Sequence, residues 1–312
     1  MIGLMIAFIS AALLMTDPTR HANAPVQFDQ EALRRGFLVT SAPGLRLFVD
    51  TGGETVASTS GVASAIKKRF GIAGKIPIAP HYIDRYYGGI GVQGALGARW
   101  IAENPFTLDF GGSMPTGDPP RPFAVSLRLI DRAGLDAYVR CSVAGQTLLM
   151  LFDTGALAWQ TDLGARRGMP RGVNFVSGSQ FNAWRSQYPQ WQVRKSAFHV
   201  VRENGKLYAE PAIRVPDVRV GSQSIGQQWF VRRSDDTTYR WLKTHDGVDA
   251  RGDLGLAAFA PANVLVDYPH ARLVVLLKRK ERETSILVRA PHLINRQAAF
   301  HLVLRSPLTL KW

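Results

Sequence analysis

Two copies of one acid–hydroxyl–glycine tripeptide are the residues in this chain best suited to do chemistry. Asp50-Thr51-Gly52 ends the apolar run Leu45-Arg46-Leu47-Phe48-Val49, and Asp153-Thr154-Gly155 ends Leu148-Leu149-Met150-Leu151-Phe152. At average residue usage a given tripeptide of this kind arises by chance in roughly one chain of this size in twenty. Two copies in matching contexts therefore point to a common purpose. Two carboxylates about 3 Å apart do not both ionise readily, so they share one proton. The ionised member takes a proton from a bound water as that water attacks a carbonyl carbon, and the protonated member donates to the carbonyl oxygen. Gly52 and Gly155 are expected to allow the tight turns that bring each Asp to a shared centre.

The elements that must position these acids recur in order. Phe37 to Ser41 and Leu45 to Val49 flank Ala42-Pro43-Gly44, and Tyr138 to Val143 and Gln146 to Phe152 flank Ala144-Gly145. Both patterns predict a hairpin whose second strand delivers an Asp-Thr-Gly. A helical segment should follow each. In the first copy, Ser58-Thr59-Ser60 caps a run through Val62, Ala63, Ile66 and Phe70 that stops at Gly71; in the second, a shorter segment runs from Thr161 to Arg167. Residues 25 to 36 read as a polar lead-in.

A second pair of segments matches. Leu96-Gly97 precedes the strand-like run Phe106 to Asp109-Phe110, and Leu254-Gly255 precedes Val264 to Asp267-Tyr268, with 12 positions from glycine to acid in both. The repeat thus has four ordered parts, which is stronger than any one of them. Asp50 and Gly97 lie 47 positions apart, and Asp153 and Gly255 lie 102 apart, so the second copy carries an insertion of about 55 residues. It holds strand-like runs at Ala197 to Val201, Val218 to Val220 and Trp229 to Val231, with turns at Asn204-Gly205 and Gly221-Ser222. Gly111 to Pro122, rich in Gly and Pro, reads as a linker.

On these motifs the chain resembles the retropepsin-like aspartic proteases. With both half-sites on one chain it also resembles the bilobal pepsin-like enzymes. The resemblance covers residues 36 to 113 and 123 to 277. It implies a mainly β, bilobal acid-protease fold with two pseudo-repeated lobes and few short helices. It also implies catalytic Asp50 and Asp153, with Thr51 and Thr154 hydrogen-bonding across the two loops. Gly97 and Gly255 would let a neighbouring loop pack closely on each Asp turn. The implied domains are an N-terminal lobe at 25–113, a linker at 114–122, a C-terminal lobe with an insertion at 123–277 and a basic tail at 278–312. The sequence departs from the family at Gly53, where Ala or Ser is common, and at Asp253, a third acid where an apolar residue is usual. The short first copy leaves little room for a substrate-covering flap, and the second insertion offers the alternative. Tyr82, Tyr86 and Tyr87 read as core or surface residues, with a place along the cleft as the other option.

Composition bounds the rest. The 312 residues are 46% hydrophobic and 20% charged, an ordinary globular balance rather than a disordered one. A single cysteine, Cys141, forms no intrachain disulfide and reads as a small core residue. The apolar stretch Ile2 to Met15 is short for a membrane span and is followed by Ala22-Asn23-Ala24, a small-x-small cleavage pattern. Residues 1–24 are therefore expected to be an export signal, or an N-terminal anchor, for a periplasmic or secreted protein. The net charge of +14 comes from scattered basic residues, apart from Lys278-Arg279-Lys280 and Arg282. It reads as a solvated basic surface, with contact with an anionic envelope surface as the alternative rather than nucleic acid, which an exported protein rarely meets. Gly89-Ile90-Gly91-Val92-Gln93-Gly94 matches a dinucleotide pattern but follows polar residues rather than an apolar strand. Arg251-Gly252-Asp253 lies inside the repeat and reads as structural. The seven His are dispersed, and neither a zincin helix nor a serine elbow occurs. The expected function is that of a monomeric aspartic endopeptidase acting on peptide or protein without metal or cofactor. The alternatives are an inactive relative that binds peptide or polymer, and a cationic envelope protein whose repeat only builds structure.

Overall fold

Short apolar runs rich in β-branched residues and bounded by turn residues favour strands, and the computed structural model is accordingly mainly β with few short helices. The structure describes residues 27–104, 106–109, 123–131, 135–160, 169–201, 206–260 and 263–276. All of them belong to one compact unit ending at Lys280.

The first copy contains α1 (Gln30–Arg34), β1 (Val39–Ala42), β2 (Leu45–Val49), β3 (Val56–Ala57), α2 (Ser60–Phe70), α3 (Pro80–Tyr87), β4 (Gly94–Leu96), α4 (Ala98–Glu103) and β5 (Phe106–Asp109). Residues 27–36 are more than a polar lead-in. Asp29 caps α1 by accepting from the Glu31 and Ala32 amides and also pairs with Arg46 at 2.9 Å, while Ala32 and Leu33 are buried. Helix α2 forms as its sequence requires. Thr59 accepts from the Val62 amide at the start, and Gly71 takes a left-handed conformation, φ 66°, at the end. It buries Ala63, Ile66 and Phe70.

The second copy contains β6 (Phe123–Asp131), β7 (Leu135–Val143), β8 (Gln146–Phe152), β9 (Leu157–Gln160), β10 (Met169–Gly172), β11 (Asn174–Ser177), α5 (Gly178–Gln187), β12 (Val193–Val201), β13 (Leu207–Val215), β14 (Val218–Val220), β15 (Gln223–Ser224), β16 (Gln228–Arg233), α6 (Arg240–His245), β17 (Gly252–Leu254), β18 (Asn263–Asp267) and β19 (Arg272–Leu276). The β7–β8 turn has φ 48° at Ala144 and 81° at Gly145, the paired positive values of a tight hairpin turn. The insertion supplies the β12–β13 hairpin and the β14–β15 pair around Gly221.

Strand pairing repeats what the motifs repeat. β2 lies parallel to β4 with Val49 opposite Leu96, and β8 lies parallel to β17 with Phe152 opposite Leu254. The Asp50 amide donates to Leu96 O at 2.9 Å and the Asp153 amide to Leu254 O at 3.1 Å. Each Leu-Gly is thereby set beside its own Asp-Thr-Gly. The first-copy strands have the order β1-β2-β4-β3. β5, which closes the first copy, pairs with β18 of the second, and β18, β19 and β6 continue that sheet. The core runs under both copies and includes Trp184 of α5, fully buried and edge-on to Phe230 at 5.5 Å. Cys141 is buried in this core, and burial pushes its thiol up to about 12, as suits a packing residue.

The expected export signal at 1–24, linker at 114–122, helical segment at 161–167, turn at 204–205 and tail at 278–312 lie outside the described residues. No helix among the described residues is long and apolar enough to cross a membrane.

Candidate active site

The two Asp-Thr-Gly loops meet and lock through their threonines. The Thr51 amide donates to Thr154 Oγ1 at 2.9 Å, and the Thr154 amide donates to Thr51 Oγ1 at 2.8 Å. Each hydroxyl then donates onward across the junction, Thr51 to Phe152 O and Thr154 to Val49 O, both at 2.8 Å. Every partner is buried, so four donor–acceptor pairs with positions 101 to 105 residues apart fix one loop on the other. Thr51-Gly52 and Thr154-Gly155 form turns, as the sequence suggests. Neither Gly52 nor Gly155 has a positive φ. Each also makes room for the opposite carboxylate. A β-carbon on Gly52 would lie 2.9 Å from Asp153 Oδ1, and one on Gly155 would collide with the Asp50 carboxylate.

Gly97 and Gly255 sit where the repeat places them. A β-carbon on Gly97 would strike the Gly53–Thr55 backbone, and one on Gly255 would strike Val173 O. Their amides are held alike, Gly97 by Thr55 Oγ1 at 2.9 Å and Gly255 by Asn174 Oδ1 at 3.0 Å. Asn174 is a supporting residue that the sequence motif does not reveal, because its partner lies 81 positions away.

The two carboxyls have unlike surroundings. Asp50 accepts from the Gly52 amide at 2.9 Å and from the Tyr87 hydroxyl at 2.7 Å. Asp153 accepts from the Gly155 amide at 2.7 Å. Burial pushes the Asp153 carboxyl well above the usual carboxylate range, and the charges of Asp50 and Asp253 push it further; Arg233 and the Gly155 amide oppose them. These influences together favour the protonated form of the Asp153 carboxyl. Asp253, the third acid, is fully buried on β17 and paired with Arg233 at the end of β16.

A chamber of about 200 Å³ opens over the dyad and holds Asp50, Asp153, Tyr82, Tyr86, Tyr87, Trp159 and Arg233. A larger cavity of about 590 Å³ shares Tyr82, Tyr86 and Arg233 with it and extends to Trp241 and Asp136. The three tyrosines thus all reach the cleft, contrary to a plain core or surface role. Helix α3 carries them, and Tyr87 stacks on Phe48 at 4.4 Å, which aims its hydroxyl at Asp50. The signal in sequence was only the helical spacing of Tyr82 and Tyr86; the 37-residue separation of Tyr87 from Asp50 hid the contact. In the first copy helix α3 lines the chamber. From the second copy, Val200 and Val201 at the end of β12 line the same chamber.

A further carboxyl, Asp136, borders the larger cavity and interacts with Asp246. The Tyr138 hydroxyl donates to Asp246, and burial together with Asp246 pushes the Asp136 carboxyl up to about 8. The folded state thus binds a proton at Asp136 that the unfolded chain, titrating near 3.8, gives up earlier. This stabilisation is fully present below about pH 4 and is lost as pH rises through about 8. The melting temperature should therefore fall across that window, and Asp136→Asn should flatten the fall. Thermal melts at pH 4, 6 and 8 check this; an unchanged slope in the variant would contradict it.

Among the described residues, no group of three or more His, Cys, Asp or Glu is arranged to hold a metal ion. Compared with known proteins, the chain matches no protein-family model, and no curated protein shows significant sequence similarity to it.

Proposed function

We propose that the chain is an aspartic endopeptidase of the bilobal, retropepsin-like kind, with Asp50 and Asp153 as its catalytic pair. The observation that carries this is the reciprocal Thr51–Thr154 hydrogen bonding, which holds two Asp-Thr-Gly loops with each carboxylate against the other loop's glycine. Asp50 takes a proton from a water held between the carboxyls as the water oxygen attacks the peptide carbonyl carbon. Asp153 gives its proton to the carbonyl oxygen. The resulting tetrahedral diol collapses as the amide nitrogen is protonated from Asp50 and the hydroxyl proton returns to Asp153. The C–N bond then breaks to release acid and amine. Both half-sites lie on one chain, so a monomer suffices. The first 24 residues support export, and the positive charge supports work at an anionic envelope surface.

The test is digestion of casein and a peptide library by the purified protein between pH 3 and 7. Hydrolysis should occur, should be inhibited by a peptide mimic bearing a tetrahedral hydroxyl, and should persist with a chelator or a serine-directed reagent. Specific activity should stay constant on dilution through the nanomolar range. Tight binding of the mimic without any cleavage would favour the inactive peptide-binding alternative, and inhibition by the chelator would remove the two-carboxylate mechanism.

A further inference from the structure

Asp253 is the residue that the proposed chemistry leaves unused and that the fold places with the most care. It lies on β17 between Gly252, which pairs with Met150, and Leu254, whose carbonyl accepts the Asp153 amide. Its side chain is fully buried. Across the sheet it stands opposite Phe175 of β11. Arg233 leaves the adjoining β16, lays its guanidinium over the Phe175 ring at 4.5 Å from the centroid, and donates to Asp253 Oδ2. Arg233 also lines the chamber that Asp50, Asp153 and Gly155 line.

A buried ion pair costs desolvation that hydrophobic residues of similar size would avoid. Its retention beside two acids that must share a proton calls for a role in that sharing. The groups acting on Asp153 come from several elements: Asp50 from the loop after β2, Asp253 from β17, Arg233 from β16, and the hydroxyls of Tyr82, Tyr239 and Tyr268. The tyrosines are held neutral by burial. Asp50 is the other half of the pair itself. The remaining charged groups are Asp253 and Arg233, which act on Asp153 with opposite sign; burial raises the Asp253 carboxyl itself, and its pairing with Arg233 opposes that.

We propose that Arg233 and Asp253 form a positioning pair that balances the field on Asp153, and so sets the pH at which the dyad loses its shared proton. This rests on the dyad assignment made above. Arg233 and Asp253 act through Asp153 rather than on the substrate.

The sign follows from which charge is left. Asp253→Asn removes the anion and leaves Arg233 uncompensated beside Asp153, which favours the ionised carboxyl. The Asp153 titration, and with it the alkaline limb of hydrolysis, should move to lower pH by about 1 unit or more. Removing the cation as well, in Asp253→Asn/Arg233→Met, should bring the titration back to within about 0.5 unit of the unmodified protein, because both opposed influences are gone. A purely structural role would make the double variant worse, not restored. Arg233 is one-fifth exposed, so its unpaired charge in the single variant retains access to solvent.

The titration is read directly by carbon NMR of aspartate-labelled protein and in parallel by the pH–rate profile of peptide hydrolysis. The NMR arm needs no activity, so a protein that fails to cleave sinks the peptidase assignment alone and leaves the pair to be judged by the carboxyl titration. If Asp253→Asn does not fold, the unmodified protein decides. The Arg233 guanidinium nitrogen resonances should inflect at the pH where the Asp153 carboxyl carbon does. A single variant whose Asp153 titration is unmoved, a double variant displaced as far as the single, or a guanidinium that ignores the Asp153 transition would each overturn the proposal.

Discussion

Asp50→Asn and Asp153→Asn should each reduce peptide hydrolysis by about 10²- to 10⁴-fold, the range set by loss of one positioned acid or base. Asparagine keeps the shape of the carboxyl, and its amide oxygen still accepts from the Gly52 or Gly155 amide, so the loops keep their form. What it lacks is a proton to exchange. At Asp50 the water loses its base, and at Asp153 the carbonyl oxygen loses its acid. Stability should move the other way at neutral pH. The Asp153 carboxyl titrates well above its ordinary range because burial and neighbouring charges oppose its ionisation. Its contribution to stability is present below the unfolded value of about 4 and is lost as pH rises through the higher folded value. Asp153→Asn escapes that loss and should melt at or above the unmodified protein at pH 7. Circular dichroism melts beside the digest distinguish the outcomes. An inactive variant that also melts far lower would speak only of misfolding, and a variant with near-full activity would end the two-acid mechanism.

Thr154→Val should lower stability by about 2–6 kcal/mol, since it leaves two buried backbone groups without partners at about 1–3 kcal/mol each. The groups are the Thr51 amide, which loses its acceptor, and Val49 O, which loses its donor. Valine has nearly the same shape, so no cavity confuses the result. In a unit of this size the melting temperature should drop by roughly 5–15 °C. Thr154→Ser keeps the hydroxyl and should recover most of the loss. Thr51→Val removes the mirror-image pair, to the Thr154 amide and Phe152 O, and should cost a similar amount. The two single losses should sum to more than the double variant loses, because each substitution already slackens the same junction. Equal and fully additive losses would mean that the two loops are held independently.

The parts of the molecule that the sequence discloses are those built from local pattern. The two hairpins and helix α2 between Thr59 and Gly71 follow from spacing within a dozen or so residues, and the recurrence of Asp-Thr-Gly with Leu-Gly is read from matching order. The sequence also flagged Asp253 as an acid out of place, and the structure buries it near Asp153. What stayed hidden depends on distant pairing. No short-range signal joins Tyr87 to Asp50 or Arg233 to Asp253, because each contact is made by strands and helices that only the finished sheet brings together. The glycines show a subtler limit. Sequence assigns Gly52 and Gly155 to turns from their residue type, whereas their need for a bare backbone comes from a carboxylate in the other copy. Composition alone reads residues 25 to 36 as a polar lead-in, whereas two buried residues and one capping acid suffice to anchor α1.

The unlike neighbours of the two acids bear on how a substrate lies. A polypeptide has a direction, and a cleft with exact twofold symmetry would accept it equally well from either end. Here one acid is approached by a tyrosine-bearing helix and the other by an arginine and a strand end. Running a chain from left to right and from right to left therefore presents its carbonyls to different companions. The molecule has a built-in polarity, and for the proposed peptide substrate the amino-terminal and carboxy-terminal sides of the cut meet two different surfaces.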